Sequence, residues 1–364
     1  MKKILVAARH PGAANALTPV IKNLRSSGHE VTVIGVDNRG ADKALGGSYA
    51  EFQKAGITDA LDVRRDFEYG SNLVEMPILD SPFEHLVIKS DVVLVGTSKD
   101  VKGKDLGIEE AMIATSHFYG KSSVQLVDSW GSWYPKTLNY GGLFVPGVHA
   151  VMDELSKRIL INGGAEDFAI KVTGQPAFDA KASLTLRRDE VRGKLGLNEA
   201  ERLILYAGQV TPDNPQTLDW VVSNLQDGDR LVFSRHPRDE RAYDSILSKA
   251  GYRELKTTLK TDEVMHGADI HVTHFSTTGM DSVLLGIPSI NLMLDKDETE
   301  VRKLAGGYPL AVMGLSYEAN DVASYKKALE IAPSTRSGLR ERAREALKID
   351  GKATQRVTDL VLNL

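Results

Sequence analysis

A hydroxyl-rich turn between an apolar run and an amphipathic segment is the part of the sequence best suited to bind an anion. Residues 269–281 read DIHVTHFSTTGMD, so Ser276, Thr277 and Thr278 sit where a strand would end and a helix would begin. Such a turn offers backbone N–H groups, hydroxyls and the positive end of the helix dipole to one phosphate or diphosphate. Gly279 would let the ligand approach the backbone closely. The alternative is a helix start capped by Ser or Thr without any ligand.

Three histidines in or near this segment raise the question of a metal site, because imidazole is the commonest transition-metal ligand. His271 and His274 are three positions apart in a predicted strand, so their side chains should point to opposite faces. The sequence contains no cysteine that could complete a site with His266. We therefore predict no metal, and we expect His274 to be a hydrogen-bond donor beside the turn.

The first apolar run, at 4–8, ends in a polar turn that carries Arg9, His10, Gly12 and Asn15 before the first predicted helix. A dinucleotide-binding turn needs three spaced glycines, and this turn has one. The sequence also lacks the GxxxxGK[ST] segment of a P-loop. Nicotinamide, flavin and P-loop nucleotide sites are therefore disfavoured.

A second polar loop, at 127–136, contains Asp128 together with Trp130, Trp133 and Tyr134. Aromatic faces stack on sugar rings or nucleobases. A carboxylate at the end of a strand can act as a general base toward an acceptor hydroxyl. We therefore treat Asp128 as a candidate catalytic residue and the two tryptophans as candidate sugar or acceptor contacts. The alternative is that these rings only pack a domain interface.

A third polar strand end, in the segment VFSRHPRD at 232–239, presents Arg235 and His236. Open α/β sheets bind ligands outside the carboxyl ends of their strands, and both side chains could contact a phosphate there. A surface ion pair is the alternative for Arg235, and an ordinary satisfied polar contact is the alternative for His236.

Short β-branched runs alternate with helical patterns along the chain, which is typical of parallel sheets covered by helices. We predict an α/β protein with two Rossmann-like, doubly wound domains facing a central cleft. A charged stretch without a strand, at 181–202, separates two series of runs. We place the domains at 1–178 and 179–364, and the last segment, 354–364, could cross back to the first domain. The predicted strands lie at 4–8, 31–36, 91–97, 123–129, 169–174, 202–208, 230–237, 268–274 and 288–294.

The composition limits the classes of function. The 364 residues suit two domains of about 100–200 residues each. Lys and Arg total 45 against 49 Asp and Glu, so there is no basic excess to attract nucleic acid. The absence of cysteine excludes disulfides and thiolate chemistry and fits a reducing compartment. No apolar run reaches the roughly 18–20 residues of a membrane span, and we expect a soluble, cytoplasmic protein.

The run at 269–293 resembles the second-domain phosphate turn of the GT-B superfamily, particularly of the UDP-N-acetylglucosamine 2-epimerases. In those proteins a serine–glycine–glycine turn holds the diphosphate, and a following acid holds the ribose. The resemblance implies that Ser276, Thr277 and Thr278 take the phosphates and that Asp281 takes the ribose hydroxyls. Threonines replace the glycines of the epimerases here, and the acid is Asp rather than Glu.

Four further segments carry the same resemblance. KVTGQPAFDA, at 171–180, resembles the interdomain strand and turn, and ILYAGQVTPDNPQ, at 204–216, resembles the first strand and loop of the second domain. These loops face the nucleotide in GT-B proteins, which implies a role for Gln209. The turn after the first strand resembles the GT-B loop that contacts the transferred group or the acceptor. The loop at Asp128 is similar to an Asp-X-Trp loop of polysaccharide-biosynthesis proteins in this superfamily.

The resemblance implies a glycosyltransferase-like enzyme that uses a nucleoside-diphosphate sugar as substrate, without a separate cofactor. The domain at 179–364 would bind the nucleoside diphosphate, the domain at 1–178 would present the acceptor, and Asp128 or His10 would be the base. A UDP-sugar 2-epimerase, a glycerol-phosphate transferase similar to those of teichoic acid synthesis, and a non-catalytic two-lobed binding protein are the alternatives. We expect no nucleic-acid partner, and peripheral membrane contact and the oligomeric state stay open.

Overall fold

The structure is a computed structural model that describes residues 1–37, 47–63, 83–97, 107–130, 145–294 and 300–364. The chain divides into two compact units. Unit 1 consists of Met1–Ala182 and Leu347–Leu364, and unit 2 consists of Ser183–Ala346. Each unit contains one parallel β-sheet, so the predicted α/β class with two doubly wound sheets is confirmed.

The sheet of unit 1 has the strand order β3-β2-β1-β4-β5-β6-β7, and every neighbouring pair is parallel. Apolar side chains cover both of its faces, which explains why the central strands read as β-branched runs rather than as alternating patterns. Its strands are β1 Lys3–Ala7, β2 Glu30–Gly35, β3 Leu61–Asp62, β4 Val92–Val95, β5 Ser122–Val127, β6 Val148–Val151 and β7 Ile170–Val172.

The sheet of unit 2 has the order β12-β11-β10-β8-β9 and is also parallel throughout. Two apolar cores cover its opposite faces. Its strands are β8 Arg202–Ala207, β9 Asp229–Ser234, β10 Ile270–Thr273, β11 Ser289–Leu292 and β12 Ser316–Ala319.

Helices connect the strands and cover the sheets, as right-handed crossovers between parallel strands require. The helices of unit 1 that precede unit 2 are α1 Pro11–Ser26, α2 Ser48–Lys54, α3 Glu84–Lys89, α4 Ile108–Phe118 and α5 Glu154–Asn162. The helices of unit 2 are α6 Arg188–Lys194, α7 Asn214–Ser223, α8 Asp244–Leu247, α9 Thr261–Met265, α10 Thr278–Leu284, α11 Glu300–Ala305, α12 Pro309–Val312, α13 Val322–Ile331 and α14 Leu339–Ala346. The last helix, α15 Ala353–Leu362, returns to unit 1. Among the residues that the structure describes, no helix has the length and apolarity needed to cross a membrane.

The first helix begins earlier than the sequence pattern indicated. It starts at Pro11, whose fixed φ and missing N–H suit the first helical position. The sequence pattern placed the helix start at about Asn15, so Gly12, expected on the turn into the helix, instead lies within α1. The short strands β3, β6 and β12 were not predicted. β3 has two residues, the other two have four each, and β12 is half polar, so none gives a clear apolar run.

The last helix is held on unit 1 by apolar packing and by a cap. Val357 and Val361 are fully buried in the same core cluster as Leu17 and Ile21 of α1. The carboxylate of Asp179 accepts hydrogen bonds from the N–H groups of Ala353 (2.9 Å) and Thr354 (2.8 Å), which satisfies the start of α15. These contacts make α15 part of the core of unit 1, although 164 residues of unit 2 precede its connecting segment.

Replacing Val357 by Ala should lower the free energy of unfolding of unit 1 by about 2 kcal/mol, because it removes two buried methyl groups and leaves a cavity. Leu364→Ala is the matched control, since it removes a larger apolar side chain from a position that is 44% exposed. Urea unfolding followed by circular dichroism measures both changes. Equal midpoints for the two variants would contradict the packing of α15 against α1.

Candidate functional site

In both sheets the first strand of the unit lies in the interior of the sheet. β1 lies between β2 and β4, and β8 lies between β9 and β10. The connections therefore leave the first strand and its neighbour in opposite directions, which opens a crevice at the carboxyl edge, the usual ligand position in open α/β sheets. The candidate residues predicted from the sequence follow strands at these two edges.

The hydroxyl-rich turn of unit 2 follows β10, as predicted. The hydroxyl of Ser276 accepts a hydrogen bond from the N–H of Thr278 (3.2 Å), and the carbonyl of Ser276 accepts one from the N–H of Gly279 (3.0 Å). The N–H of Met280 donates to the carbonyl of Thr277 at 3.0 Å. Three N–H groups of the turn are thus used inside the turn. Thr277 is exposed, and Ser276 is partly exposed, so both hydroxyls are accessible to a ligand.

His271 is a buried support for this turn. Its Nδ1 lies 3.0 Å from the hydroxyl of Ser289, and its Nε2 lies 3.1 Å from the hydroxyl of Thr278. Burial lowers the pKa of His271 to about 3, so the ring is neutral at physiological pH. The Thr278 hydroxyl predicted to bind phosphate therefore has a protein partner that fixes its orientation.

Gly279 and Asp281 occupy the first turn of α10 and have different surroundings. A Cβ on Gly279 would lie 3.3 Å from Cδ1 of Leu310 and 3.7 Å from Oγ of Ser289, so the space left by the missing side chain faces the protein interior. We expected the missing side chain of Gly279 to leave room for a ligand. The room instead faces Leu310 and Ser289, so the glycine allows close packing of α10. Asp281 is partly exposed on the same turn.

His274 at the end of β10 is fully buried and points toward α7. Its Nε2 lies 2.8 Å from the hydroxyl of Thr217, and its carbonyl accepts a hydrogen bond from the side chain of Asn291 (2.9 Å). We expected it to donate beside the phosphate turn. The structure gives this imidazole nitrogen a protein partner instead, since a buried polar atom must be hydrogen-bonded.

His274 belongs to a buried hydrogen-bonded network that sequence reasoning missed. The hydroxyl of Tyr206 lies 2.8 Å from that of Thr217 and 2.7 Å from Oδ1 of Asn214. The sequence gives little sign of this network, because its members are far apart along the chain and several are ordinary loop residues. We call it the Asp239 network, and its members are Asp239, Arg241, Tyr243, Asn214, Tyr206, Thr217 and His274.

The other predicted residues of unit 2 lie on neighbouring loops. Gln209 follows β8, and its Oε1 is buried without a hydrogen-bond partner among the residues that the structure describes. Arg235 is exposed after β9. His236 is partly exposed, and its Nδ1 accepts a hydrogen bond from the N–H of Arg238 (3.1 Å), which directs the other ring nitrogen away from the backbone.

A cavity of about 400 Å³ lies beside the end of β9, close in sequence to Arg235 and His236. It has a mixed lining of apolar, hydroxyl and charged side chains, so it suits a group with polar atoms better than a purely apolar one. The lining residues are Val232, Phe233, Ser234, Asp244, Glu254, Leu255, Lys256, Thr257, Leu259, Thr261 and Val264.

In unit 1 the structure brings Asp128 next to the first turn of α1. A Cβ on Gly12 would lie 2.9 Å from Oδ2 of Asp128, and the hydroxyl of Thr97, after β4, donates to Oδ1. Burial raises the pKa of Asp128, and the hydrogen bond from Thr97 acts in the opposite direction. A carboxyl group at a strand end whose pKa is raised is a candidate general acid or base.

Arg9 and His10 occupy the turn after β1. The N–H of Arg9 donates to Oε1 of Glu109 at 2.6 Å, and Glu109 is fully buried in the first turn of α4. His10 precedes α1 as its N-cap, and its side chain is partly exposed. Asn15 is exposed on α1. Glu109 was not among the predicted site residues, because an acid in the first turn of a helix is common.

Trp130 has a structural contact of its own. Its Nε1 donates to Oδ2 of Asp153 at 3.0 Å, and Oδ1 of Asp153 accepts the N–H of Ser156 (2.6 Å) as the cap of α5. This hydrogen bond ties the indole to the start of α5 within unit 1, and contact of the ring with a sugar or an acceptor stays a prediction. Trp133 lies outside the described residues. Among those that are described, no group of three or more His, Cys, Asp or Glu side chains could hold a metal ion.

No protein-family model matches the sequence, and comparison with curated proteins gives no match. Solved structures do match over the full length. The UDP-N-acetylglucosamine 2-epimerase of Neisseria meningitidis bound to UDP-N-acetylglucosamine has a TM-score of 0.62 and 14% identity, covering 100% of both chains. That of Methanocaldococcus jannaschii has a TM-score of 0.62 and 16% identity, again with 100% of both chains.

The similarity extends to enzymes that transfer sugars. The calicheamicin glycosyltransferase CalG4 has a TM-score of 0.58 and 12% identity, covering 100% of this chain and 98% of the other. Likeness at such low identity concerns the fold, since one fold hosts many chemistries. The chain therefore has the same two-domain α/β fold as these epimerases and glycosyltransferases, which is the fold that the sequence resemblance implied.

Proposed function

We propose that the chain is an enzyme that binds a nucleoside-diphosphate sugar and transfers the sugar to an acceptor hydroxyl. The observation that carries the proposal is the hydroxyl-rich turn after β10, which lies at the carboxyl edge of the unit 2 sheet beside the loop after β8. The solved structures of similar fold include UDP-N-acetylglucosamine 2-epimerases and glycosyltransferases, which supports a nucleotide sugar as the ligand.

The nucleoside diphosphate would bind to unit 2. The accessible hydroxyls of Ser276 and Thr277 would contact phosphate oxygens, and Thr278 would contribute a hydroxyl already oriented by His271. Arg235 and His236 would supply further donors from the loop after β9. Hydroxyl and guanidinium donors stabilise negative charge on a departing diphosphate, which is electrostatic catalysis by preorganised groups.

The carboxylate of Asp128 in unit 1 would act as the general base. It would take the proton of the acceptor hydroxyl while that oxygen forms a bond to the anomeric carbon of the sugar. The bond from that carbon to the diphosphate oxygen breaks, and the nucleoside diphosphate leaves with the electron pair. His10, partly exposed at the start of α1, is a second candidate for the base.

Epimerisation of the sugar at C2 is the second candidate function, and Glu109 is the observation that favours it. An epimerase must move a proton at the sugar, which calls for acidic groups near one another. Glu109 accepts a hydrogen bond from the N–H of Arg9, just before α1. Asp128 lies next to Gly12 in the first turn of the same helix. Unit 1 therefore contains two carboxyl groups around one turn.

Replacing Thr277 by Asp should weaken UDP binding about tenfold or more, because it places a negative charge beside the diphosphate. Thr277 is exposed, so the variant should fold. Thr277→Asn, which has the same shape without the charge, is the control and should bind within about threefold of wild type. Isothermal titration calorimetry measures the affinities. Equal binding by the Asp and Asn variants would remove the turn from the site.

Replacing Thr97 by Val should move the acidic limb of the pH–rate profile to higher pH. The Thr97 hydroxyl stabilises the ionised form of Asp128, so its loss raises the pKa of that carboxyl further. A general base is active only when ionised, so the variant needs a higher pH to reach the same rate. The rate of UDP release from UDP-N-acetylglucosamine is measured against pH. Thr18→Val, which removes a hydroxyl bonded only to a backbone carbonyl of α1, should leave the limb in place.

Incubation of the protein with UDP-N-acetylglucosamine in D₂O distinguishes the two reactions. Transfer to water or to an added acceptor should release UDP and leave the C2 proton of the remaining substrate in place. Epimerisation should exchange that proton for deuterium and form the C2 epimer without net loss of substrate, because abstraction and return of the C2 proton pass through solvent. Proton NMR follows both outcomes in one sample, and deuterium at C2 would replace transfer by epimerisation as the function.

A further inference from the structure

Asp239, after β9, is buried and receives several strong hydrogen bonds. Its carboxylate accepts from Nε and Nη2 of Arg241, each at 2.7 Å, and from the hydroxyl of Tyr243 at 2.5 Å. These hydrogen bonds hold the pKa of Asp239 well below its usual range, and those from Arg241 have the largest effect. The carboxylate is therefore charged over the whole physiological range and fixes two side chains at once.

Arg241 extends this contact to the neighbouring loop. Its Nη1 donates to the carbonyl of Thr211 at 2.5 Å, and its Nη2 donates to the carbonyl of Gln209 at 3.2 Å. The guanidinium thus binds a carboxylate on one side and two backbone carbonyls on the other. Such a set of contacts requires a planar group with several fixed N–H donors, and the single ammonium group of a lysine cannot make all of them.

The loop held by Arg241 contains two buried polar atoms that lack partners. Oε1 of Gln209 and Oγ1 of Thr211 have no hydrogen-bond partner among the described residues, although both atoms are buried. Buried polar atoms are rarely left unpaired unless a ligand or water completes them. The amide oxygen of Gln209 only accepts hydrogen bonds, so its natural partner is a hydroxyl or N–H group of a ligand rather than a phosphate oxygen.

The same loop is tied to the base of the hydroxyl-rich turn by the rest of the Asp239 network. Oδ1 of Asn214 accepts the N–H of Gln209 (3.2 Å), and Nδ2 of Asn214 donates to the hydroxyl of Tyr243 (2.7 Å). Tyr206 and Thr217 continue the chain to His274, the residue that precedes the turn by two positions. Asp239 therefore fixes the ends of β8, β9 and β10 relative to one another.

We infer that Arg241, anchored by Asp239, is a positioning residue that holds the loop at Gln209 and Thr211 as a recognition site for a hydroxyl or N–H donor of the bound ligand. The inference rests on the proposed function, because the ligand is taken to be the nucleotide sugar. It changes the role of Gln209, whose amide oxygen accepts a hydrogen bond from the sugar or the nucleoside. Arg241 itself acts through the loop and touches no ligand.

The variants Arg241→Lys and Gln209→Met test this inference. Arg241→Lys keeps a positive charge beside Asp239 but loses the bridge to the two carbonyls. Gln209→Met keeps the length of the side chain but loses the acceptor. Arg238→Lys is the matched control, because Arg238 is an exposed arginine of the same loop. Affinities for UDP and for UDP-N-acetylglucosamine are measured by calorimetry well below the melting temperature of each variant.

Both Arg241→Lys and Gln209→Met should weaken binding of UDP-N-acetylglucosamine about tenfold, as expected for one lost ligand hydrogen bond, and Arg238→Lys should not. If the donor belongs to the sugar, the UDP affinity of Gln209→Met should stay at the wild-type value. If the donor belongs to the nucleoside, both affinities should fall together. Either pattern supports a donor-recognition loop and identifies the source of the donor.

Wild-type affinity of a folded Arg241→Lys variant for both ligands would overturn the positioning role. If that variant does not fold, Gln209→Met decides, and unchanged affinity in it overturns the recognition site. A wild-type protein that binds neither UDP nor UDP-N-acetylglucosamine would refute the proposed function itself, and the inference would fail with it. If the wild-type protein binds UDP and UDP-N-acetylglucosamine and the two variants bind them with the same affinity, the inference is refuted and the proposed function is not.

Discussion

Parallel strands that are buried on both faces constrain where this protein can place polar chemistry. The strand interiors must be apolar, and the central strands of both sheets are. Functional side chains are therefore confined to the loops beyond the strand ends, and the interior position of β1 and β8 opens a crevice at one edge of each sheet. Asp128 in unit 1 and the hydroxyl-rich turn in unit 2 both follow from this constraint.

A second constraint, that buried polar groups must be paired, divides the candidate residues into supports and ligand contacts. His271, His274 and Trp130 each have a protein partner that accounts for a polar nitrogen of the side chain. They hold loops in place. Ser276 and Thr277 keep accessible hydroxyls at the same edge of the sheet, and these are the groups we assign to the ligand. Pairing of buried atoms thus separates side chains that support the loops from side chains whose polar groups are left for a ligand.

The Asp239 network shows how such supports can determine recognition. One buried carboxylate fixes Arg241 and Tyr243, and through them the loops after three neighbouring strands. The energy of a charge-assisted contact inside a protein is large enough to hold a loop in one shape. A rigid loop costs less entropy when a ligand binds, which is the advantage of preorganisation. The fold is common to many activities, so selectivity must lie in details of this kind.

The sequence alone determined the α/β class, the two parallel sheets and the placement of the hydroxyl-rich turn, because β-branched runs, helical periods and turn residues are local properties of the chain. It also favoured the GT-B resemblance, which five separate segments carried. Only the tertiary structure decided which polar residues make internal contacts, such as His274 with Thr217, and which are brought together from distant positions, such as Asp128 with Thr97 and Gly12. The physical reason is that hydrogen-bond partners and burial depend on residues far apart in the chain, and no local pattern records them.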